Sequence, residues 1–391
     1  MNAGRIGSLM TQAQRGRPLA AIPVFFSPQM QAKVESLSPS AHKPLMAVES
    51  WRALGIALSI TPPTPVTRDE LALAHDRAFV DAILECRAMN GFYTKAPDVA
   101  ASLPYTSGAM LGAAREAIRN GQVAVAPTCG FHHACHALAD KFCTFNGLMV
   151  TAVALKKEGL ADRIGILDFD QHYGDGTEEI IQTLRTDFVK HYTAAEFYNH
   201  ESQAEEFLSR VPELVTAMKD CDVLLYQAGA DPHVDDPLGG WLTNQQLAER
   251  DRLVFETARE LKIPVAWNLA GGYQEPLRKV LDIHDNTMRA CAAVYLSRGT
   301  TDRSGSGNAA HQKATHILRM GVPNIIETEA IMETPPLSRT ARRLADATLA
   351  AAQFKPTVDG KRAIRKFEVH GIAVTECVDI EKAAEGRGEK E

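Results

Sequence analysis

Four short apolar runs constrain this chain most. They occupy residues 123–126, 163–167, 223–226 and 265–269. None shows the alternation of a strand with one wet face, and each stops at a cluster of Gly, Pro, Asp or His. Stretches with apolar residues at helical spacing lie between them, over 144–158, 176–186, 203–219 and 243–261. Continuous apolar strands joined by helices predict an α/β fold, a mostly parallel sheet with helices on both faces. Such sheets bind ligands in the crevice beyond the carboxyl ends of their strands. The polar clusters of this chain all fall at those ends.

The rest of the chain fits around that unit. Pro23 to Phe26 reads as a first strand, and 44–57, 68–86 and 107–118 read as helices. Residues 61–65 form a Pro-rich loop and 91–104 a long turn-rich one. Residues 301–310 have the Thr, Asp, Ser, Gly and Asn content of a linker. A helical stretch near 338–352, a β-like run from 363 to 378 turning at His370-Gly371, and a charged tail from 381 follow. This predicts one large domain over residues 20–300 and a C-terminal extension, 301–391, of unknown role. No apolar run approaches the roughly 18 residues of a membrane span, and the start lacks a signal-peptide core, so no membrane partner is expected. The net charge of -6 and the absence of a dominant basic run argue against direct nucleic-acid binding. Seven scattered Cys suggest reduced thiols and a cytoplasmic setting. Oligomeric state is left open, a homo-oligomer included.

The densest chemistry is Asp168-Phe169-Asp170-Gln171-His172-Tyr173-Gly174-Asp175-Gly176-Thr177. Asp170 and His172 are two apart, so extended backbone projects them to one side, where they suit a divalent metal. A polar loop with Asp175 as a helix cap does not need three Asp and a His. Asp231, after Gly229-Ala230, is the best third ligand from another strand end, although it could equally cap a helix. Three ligands with an open position for water is the catalytic pattern for zinc. The adjacent pair His132-His133 suits general acid–base work beside such a site. Asp168 and Asp175 are spare carboxylates able to orient it. Tyr273, after Gly271-Gly272, could polarise a carbonyl opposite the metal. On residue type alone, Phe142 and Phe145 read as core. Cys129, Cys135 and Cys143 fit no zinc-knuckle spacing and read as wholly or partly buried thiols.

Together these motifs resemble the zinc-dependent histone deacetylase family, including its bacterial histone-deacetylase-like and acetylpolyamine amidohydrolase members. The resemblance runs from about residue 20 to 300 and rests on segments that match in order. Ser38-Pro39-Ser40-Ala41-His42-Lys43-Pro44 is similar to a degraded His-Pro-Glu region. Gly130-Phe131-His132-His133-Ala134 looks like the paired-His motif, and Phe142-Cys143-Thr144-Phe145-Asn146 like the Phe-Cys-x-x-Asn segment. The Asp168–Thr177 run, Gly229-Ala230-Asp231 with Asp236-Pro237-Leu238-Gly239, and Gly271-Gly272-Tyr273 match the remaining three. The resemblance implies the arginase/deacetylase fold, with zinc on Asp170, His172 and Asp231. It implies His132 backed by Asp168, His133 backed by Asp175, and Tyr273 on the oxyanion. Phe142 would wall the acyl-lysine tunnel, with Leu238 near its rim. Asp98, in the 91–104 loop, would match the rim Asp that grips substrate. A structural potassium ion would sit on Asp168 and neighbouring carbonyls, including those of Asp170 and His172.

Four departures bear on these expectations. Tyr173 stands where a second His is common, Lys141 replaces a Gly before Phe-Cys, Gly147 replaces a larger residue, often Asn or Asp, and His191 stands where a Ser contributes to the potassium site. The implied reaction is hydrolysis of an N-acyl amide, of acetyl-lysine type or a small N-acyl amide such as an acetylpolyamine. A dimanganese, arginase-like hydrolase would want a second Asp two residues after His172, and that position is Gly174. A catalytically silent binding module would be favoured by loss of a ligand or of the Tyr, and neither is lost.

Overall fold

The computed structural model describes residues 18–296 and three strands between 355 and 379. The chain separates into two compact units, Met1–Arg303 and Ser304–Glu391. In the first, seven strands form one all-parallel sheet: β1 Ile22–Phe25, β2 Leu58–Thr61, β3 Val123–Ala126, β4 Ile164–Asp168, β5 Val189–Thr193, β6 Val223–Gly229 and β7 Val265–Ala270. Their spatial order is β2-β1-β3-β7-β6-β4-β5. The four strands that carry the polar clusters are therefore consecutive neighbours in the middle of the sheet. Every residue of β3, β4, β6 and β7 is buried, which explains their unbroken apolar character.

Nine helices are described, α1 Lys43–Ala53, α2 Arg68–Leu71, α3 Arg77–Leu84, α4 Pro97–Asn120, α5 Gly147–Glu158, α6 Asp175–Leu184, α7 Ala204–Thr216, α8 Asn244–Glu260 and α9 Arg278–Tyr295. Asn146, Thr243 and Asp76 cap α5, α8 and α3 through their side chains. Among the described residues no helix is long and apolar enough to cross a membrane. In the second unit, antiparallel strands β9 Arg362–Val369 and β10 Ile372–Asp379 pair, with β8 Lys355–Pro356 on the other side of β9. The β-like run is thus a hairpin. The linker at 301–310 and the helix near 338–352 fall outside the described residues.

Several local expectations are corrected. The helix read over 68–86 is two helices, because His75 leaves the helical path to bridge the core. Its Nδ1 lies 3.0 Å from the Cys135 carbonyl and its Nε2 accepts from the Asn146 N–H at 2.8 Å. The long loop read over 91–104 ends early, since α4 begins at Pro97 and runs through Pro104. Asp98 accordingly sits exposed in the first turn of a helix, not in a loop. Strands β2 and β5 were not anticipated; both are sheet edges, with mixed polarity.

One buried ion pair ties the strand ends together. Arg250 and Asp251 on α8 are almost wholly buried and 2.8 Å apart. Arg250 Nη1 also donates to the carbonyls of Phe169, at 3.1 Å, and Gly229, at 2.9 Å. Removing one member of such a pair leaves an uncompensated buried charge, at a cost of about 3–5 kcal/mol. Arg250→Met is therefore expected to lower the melting temperature by several degrees, whereas Arg252→Met, at an exposed ion pair, should change it little. Equal melting temperatures for the two variants would contradict this reading of α8.

Candidate active site

The strand ends bring the sequence candidates into one crevice. Asp170 and His172 follow β4, and Asp231 follows β6. Ligand atoms of the three lie within 4.8 Å of one another. His172 Nδ1 is 3.2 Å from Asp170 Oδ1 and 3.0 Å from Asp231 Oδ2. Asp170 and Asp231 are buried; His172 is partly exposed. Burial raises Asp231 above the usual carboxylate range, and the neighbouring Asp170 raises it further. Burial opposes charge on His172, but hydrogen bonds to the two carboxylates outweigh it and lift it to about 11. Two buried carboxylates and an imidazole that converge so closely form a donor set suited to a divalent metal, which would relieve the carboxylate repulsion.

The histidine pair hangs over this triad from the loop after β3. His132 Nδ1 donates to Asp168 Oδ2 at 2.7 Å, and His133 Nδ1 to Asp175 Oδ1 at 2.6 Å. Both Nε2 atoms are thereby left for other partners, and His132 Nε2 lies 3.6 Å from Asp170 Oδ1. The surroundings split the two rings. Burial disfavours charge on His132, yet Asp168 and Asp170 overcome it and hold it up to about 9. His133 is pushed down to about 3, first by burial and then by the charge on His132, despite Asp175. One ring is cationic and one neutral at pH 7, the division that acid–base chemistry needs.

Tyr273 completes the crevice from the end of β7. Burial and the nearby Asp231 and Asp170 carboxylates keep its phenol protonated, hence a donor. Its N–H donates to Asp236 Oδ2 at 2.8 Å, while Asp236 Oδ1 accepts from the Leu238 N–H at 3.0 Å. Phe142 packs on Tyr273 with ring centroids 5.8 Å apart and lines a cavity with Met30, Phe92, Leu103 and Cys129. Phe145, by contrast, is core, against His75 and Phe79. Lys141 and Phe142 take successive left-handed conformations, and Lys141 Nζ reaches Asp175 Oδ2 at 3.0 Å. That lysine charge therefore meets the carboxylate behind His133. Leu238 is 38% exposed near this rim. No hydrogen bond or ion pair is described between Asp98 and the crevice.

Four supporting residues escaped the sequence reading. Gln227, opposite Asp168 in the β4–β6 register, donates to Asp168 Oδ1 at 2.9 Å. Lys43, fully buried, donates to the Gly271 carbonyl. Asp236 links Leu238 to Tyr273, and Arg250 holds the strand ends. The Asp-Pro-Leu-Gly segment offered a signal for Asp236 and the Ser38–Pro44 segment one for Lys43; Gln227 and Arg250 had none.

The comparisons agree with this geometry. The profile of the histone deacetylase domain family matches residues 35–206 and 186–289. The chain belongs to the histone deacetylase family. An uncharacterized protein of Picosynechococcus is 32% identical over 184 residues, covering 42% of this chain and 61% of that protein. A polyamine deacetylase of Danio rerio is 26% identical over 189 residues, covering 43% of this chain and 26% of that one. Histone deacetylase 2 of Arabidopsis thaliana is 25% identical over 172 residues, covering 39% and 44%. The chain thus spans less than two thirds of the length of these relatives. The crystal structure of the HDA15 HD domain shares the fold, with a TM-score of 0.58 at 18% identity, covering 72% of this chain and 90% of that one.

Gly271 shows how tightly the family turn is set against the metal candidates. A Cβ added there would lie 2.1 Å from Asp231 Cγ. Gly159 also has a positive φ, of 68°, but open space around it. Gly271→Ala is expected to weaken metal binding at least about tenfold, a displacement worth roughly 1.4 kcal/mol. Gly159→Ala should leave binding unchanged. Isothermal titration of zinc into both variants checks this, and equal affinities would contradict it.

Proposed function

We propose that this chain is a zinc-dependent deacetylase that hydrolyses N-acyl amides, most directly those of acyl-lysine type. The observation that carries the reading is the convergence of two His–Asp pairs and a protonated Tyr273 on the Asp170, His172 and Asp231 triad. Zinc held by that triad would supply Lewis-acid polarisation of the acyl carbonyl and lower the pKa of water. The protein's own groups would do the rest. His133, neutral, accepts a proton from the attacking water at Nε2. Asp175, bonded at Nδ1, steadies the imidazolium that forms. The proton then passes to the leaving amine, without which an amide does not cleave. Tyr273 donates to the developing oxyanion. His132, already cationic beside Asp168, balances the buried carboxylates.

The substrate argument rests on the rim. Leu238 offers no charge to a distal ammonium, and the Lys141 cation stands beside the Phe142 wall. An exposed carboxylate at the Leu238 position would favour a polyamine by only about 1 kcal/mol, more if desolvated. A second reading, an acetylpolyamine or other small-molecule amidohydrolase, is supported by the similarity to the zebrafish polyamine deacetylase. Comparing kcat/KM for acetyl-lysine peptides, N-acetylputrescine and N8-acetylspermidine separates the two. Acyl-lysine peptides are expected to win; polyamines ahead by about tenfold or more, with no further gain from Leu238→Glu, would reverse the assignment.

The catalytic assignment makes its own demands. Asp170→Ala, His172→Ala and Asp231→Ala are each expected to lose zinc. Tyr273→Phe should keep zinc and lose roughly 100–1,000-fold in kcat. His133→Ala should keep zinc and lose roughly 100-fold or more. Zinc near one per chain in all three triad variants would sink the metal site. Full turnover in Tyr273→Phe would remove Tyr273 from the mechanism.

A further inference from the structure

The family resemblance implies a potassium ion beside Asp168, and the side chains present do not suit it. A hard alkali cation takes oxygen donors, whereas imidazole nitrogen suits transition metals. The residue on β5 at this place is His191, whose side chain is 4% exposed. A Cβ placed on Gly174 would lie 2.8 Å from Asp168 Oδ2 and 3.3 Å from His191 Nε2. The carboxylate and the ring edge thus border one space beneath the Gly174 backbone. On the other side of the ring, Nδ1 lies 3.4 Å from Glu178 Oε2. His191 Nε2 itself is buried and has no hydrogen-bond partner.

Asp168 is already surrounded by nitrogen donors. Its Oδ1 accepts from Gln227 Nε2 at 2.9 Å and from the Asp170 N–H at 3.1 Å. Its Oδ2 accepts from His132 Nδ1 at 2.7 Å.

We infer that this chain does without the potassium ion and that the His191 ring, held by Glu178, fills the place beneath Gly174 where the ion would sit. Asp168 takes its partners from Gln227, the Asp170 N–H and His132, none of which exchanges with the medium. The Asp168–His132 pair is assembled by the chain alone, whatever monovalent salt is present.

The test does not depend on which substrate, if any, the protein turns over. The full-length zinc-loaded protein is melted in potassium, sodium and choline chloride at one ionic strength. The wild type is expected to melt within about 1 °C in all three, since a ligand that does not bind the native state cannot stabilise it. His191→Ser substitutes an oxygen donor for the ring. It is expected to gain a potassium-specific rise of at least about 3 °C that saturates with concentration. Equilibrium dialysis against rubidium gives a second readout, with none retained by the wild type and about one ion by the variant. A potassium-specific rise in the wild type, or one rubidium per wild-type chain, would overturn the inference. A folded His191→Ser protein that takes up neither ion would overturn the role given to His191. Should that variant fail to fold, the two wild-type measurements still decide.

Discussion

The site depends on the grip of Arg250 on two strand ends. Its guanidinium reaches the carbonyls of Phe169 and Gly229. Phe169 immediately precedes Asp170, and Gly229 stands two residues before Asp231. The backbone that leads to two of the three metal candidates is therefore held by one buried cation. A buried arginine is expensive unless its charge and its donors are satisfied. Asp251 neutralises the charge, with Arg250 Nη2 left without a hydrogen-bond partner, and Asp251 also accepts from the Tyr226 hydroxyl on β6. The desolvated charge is thus converted into registry between adjacent strands.

The same logic runs through the crevice. Asp168, Asp170 and Asp231 are three buried carboxylates in a small volume. Left alone, their repulsion would drive them toward protonation. His132 opposes it through its bond to Asp168, a divalent metal on Asp170, His172 and Asp231 would oppose it for the other two, and Gln227 adds a neutral donor. The arrangement leaves His133 neutral because burial and then the charge on His132 outweigh Asp175. Asp175 is held well below its usual range by hydrogen bonds from His133 and from Lys141, although burial opposes this. The lysine that replaces the customary Gly before Phe-Cys therefore acts on the acid–base pair, not only on the tunnel wall.

What was legible in the sequence follows from these physical roles. The central strands announce themselves because burial on both faces leaves them apolar but for Asp168, Gln227 and Asn268. The ligand residues do so because chemistry concentrates Asp, His and Gly at their ends. Edge strands such as Val189–Thr193 carry Lys190 and His191 and read as loop. The break at His75 was hidden because a single buried histidine in an amphipathic stretch looks like surface. Gln227 and Arg250 are single polar residues in unremarkable runs, and Lys43 lay in the Ser38–Pro44 segment, which gave it no role. Only the register of the sheet, or the approach of a distant helix, reveals what they bind.

The central claim is that the ends of β4 and β6 build one zinc site from Asp170, His172 and Asp231, faced by the histidine pair after β3 and Tyr273 after β7. Anomalous diffraction from zinc-soaked crystals, recorded on both sides of the zinc edge, tests it most directly. The account predicts one strong peak with carboxylate oxygens and the His172 nitrogen at about 2.0–2.2 Å and an open fourth position toward Tyr273. No peak in the crevice, or a strong peak only at cysteine sulfur elsewhere, would contradict it.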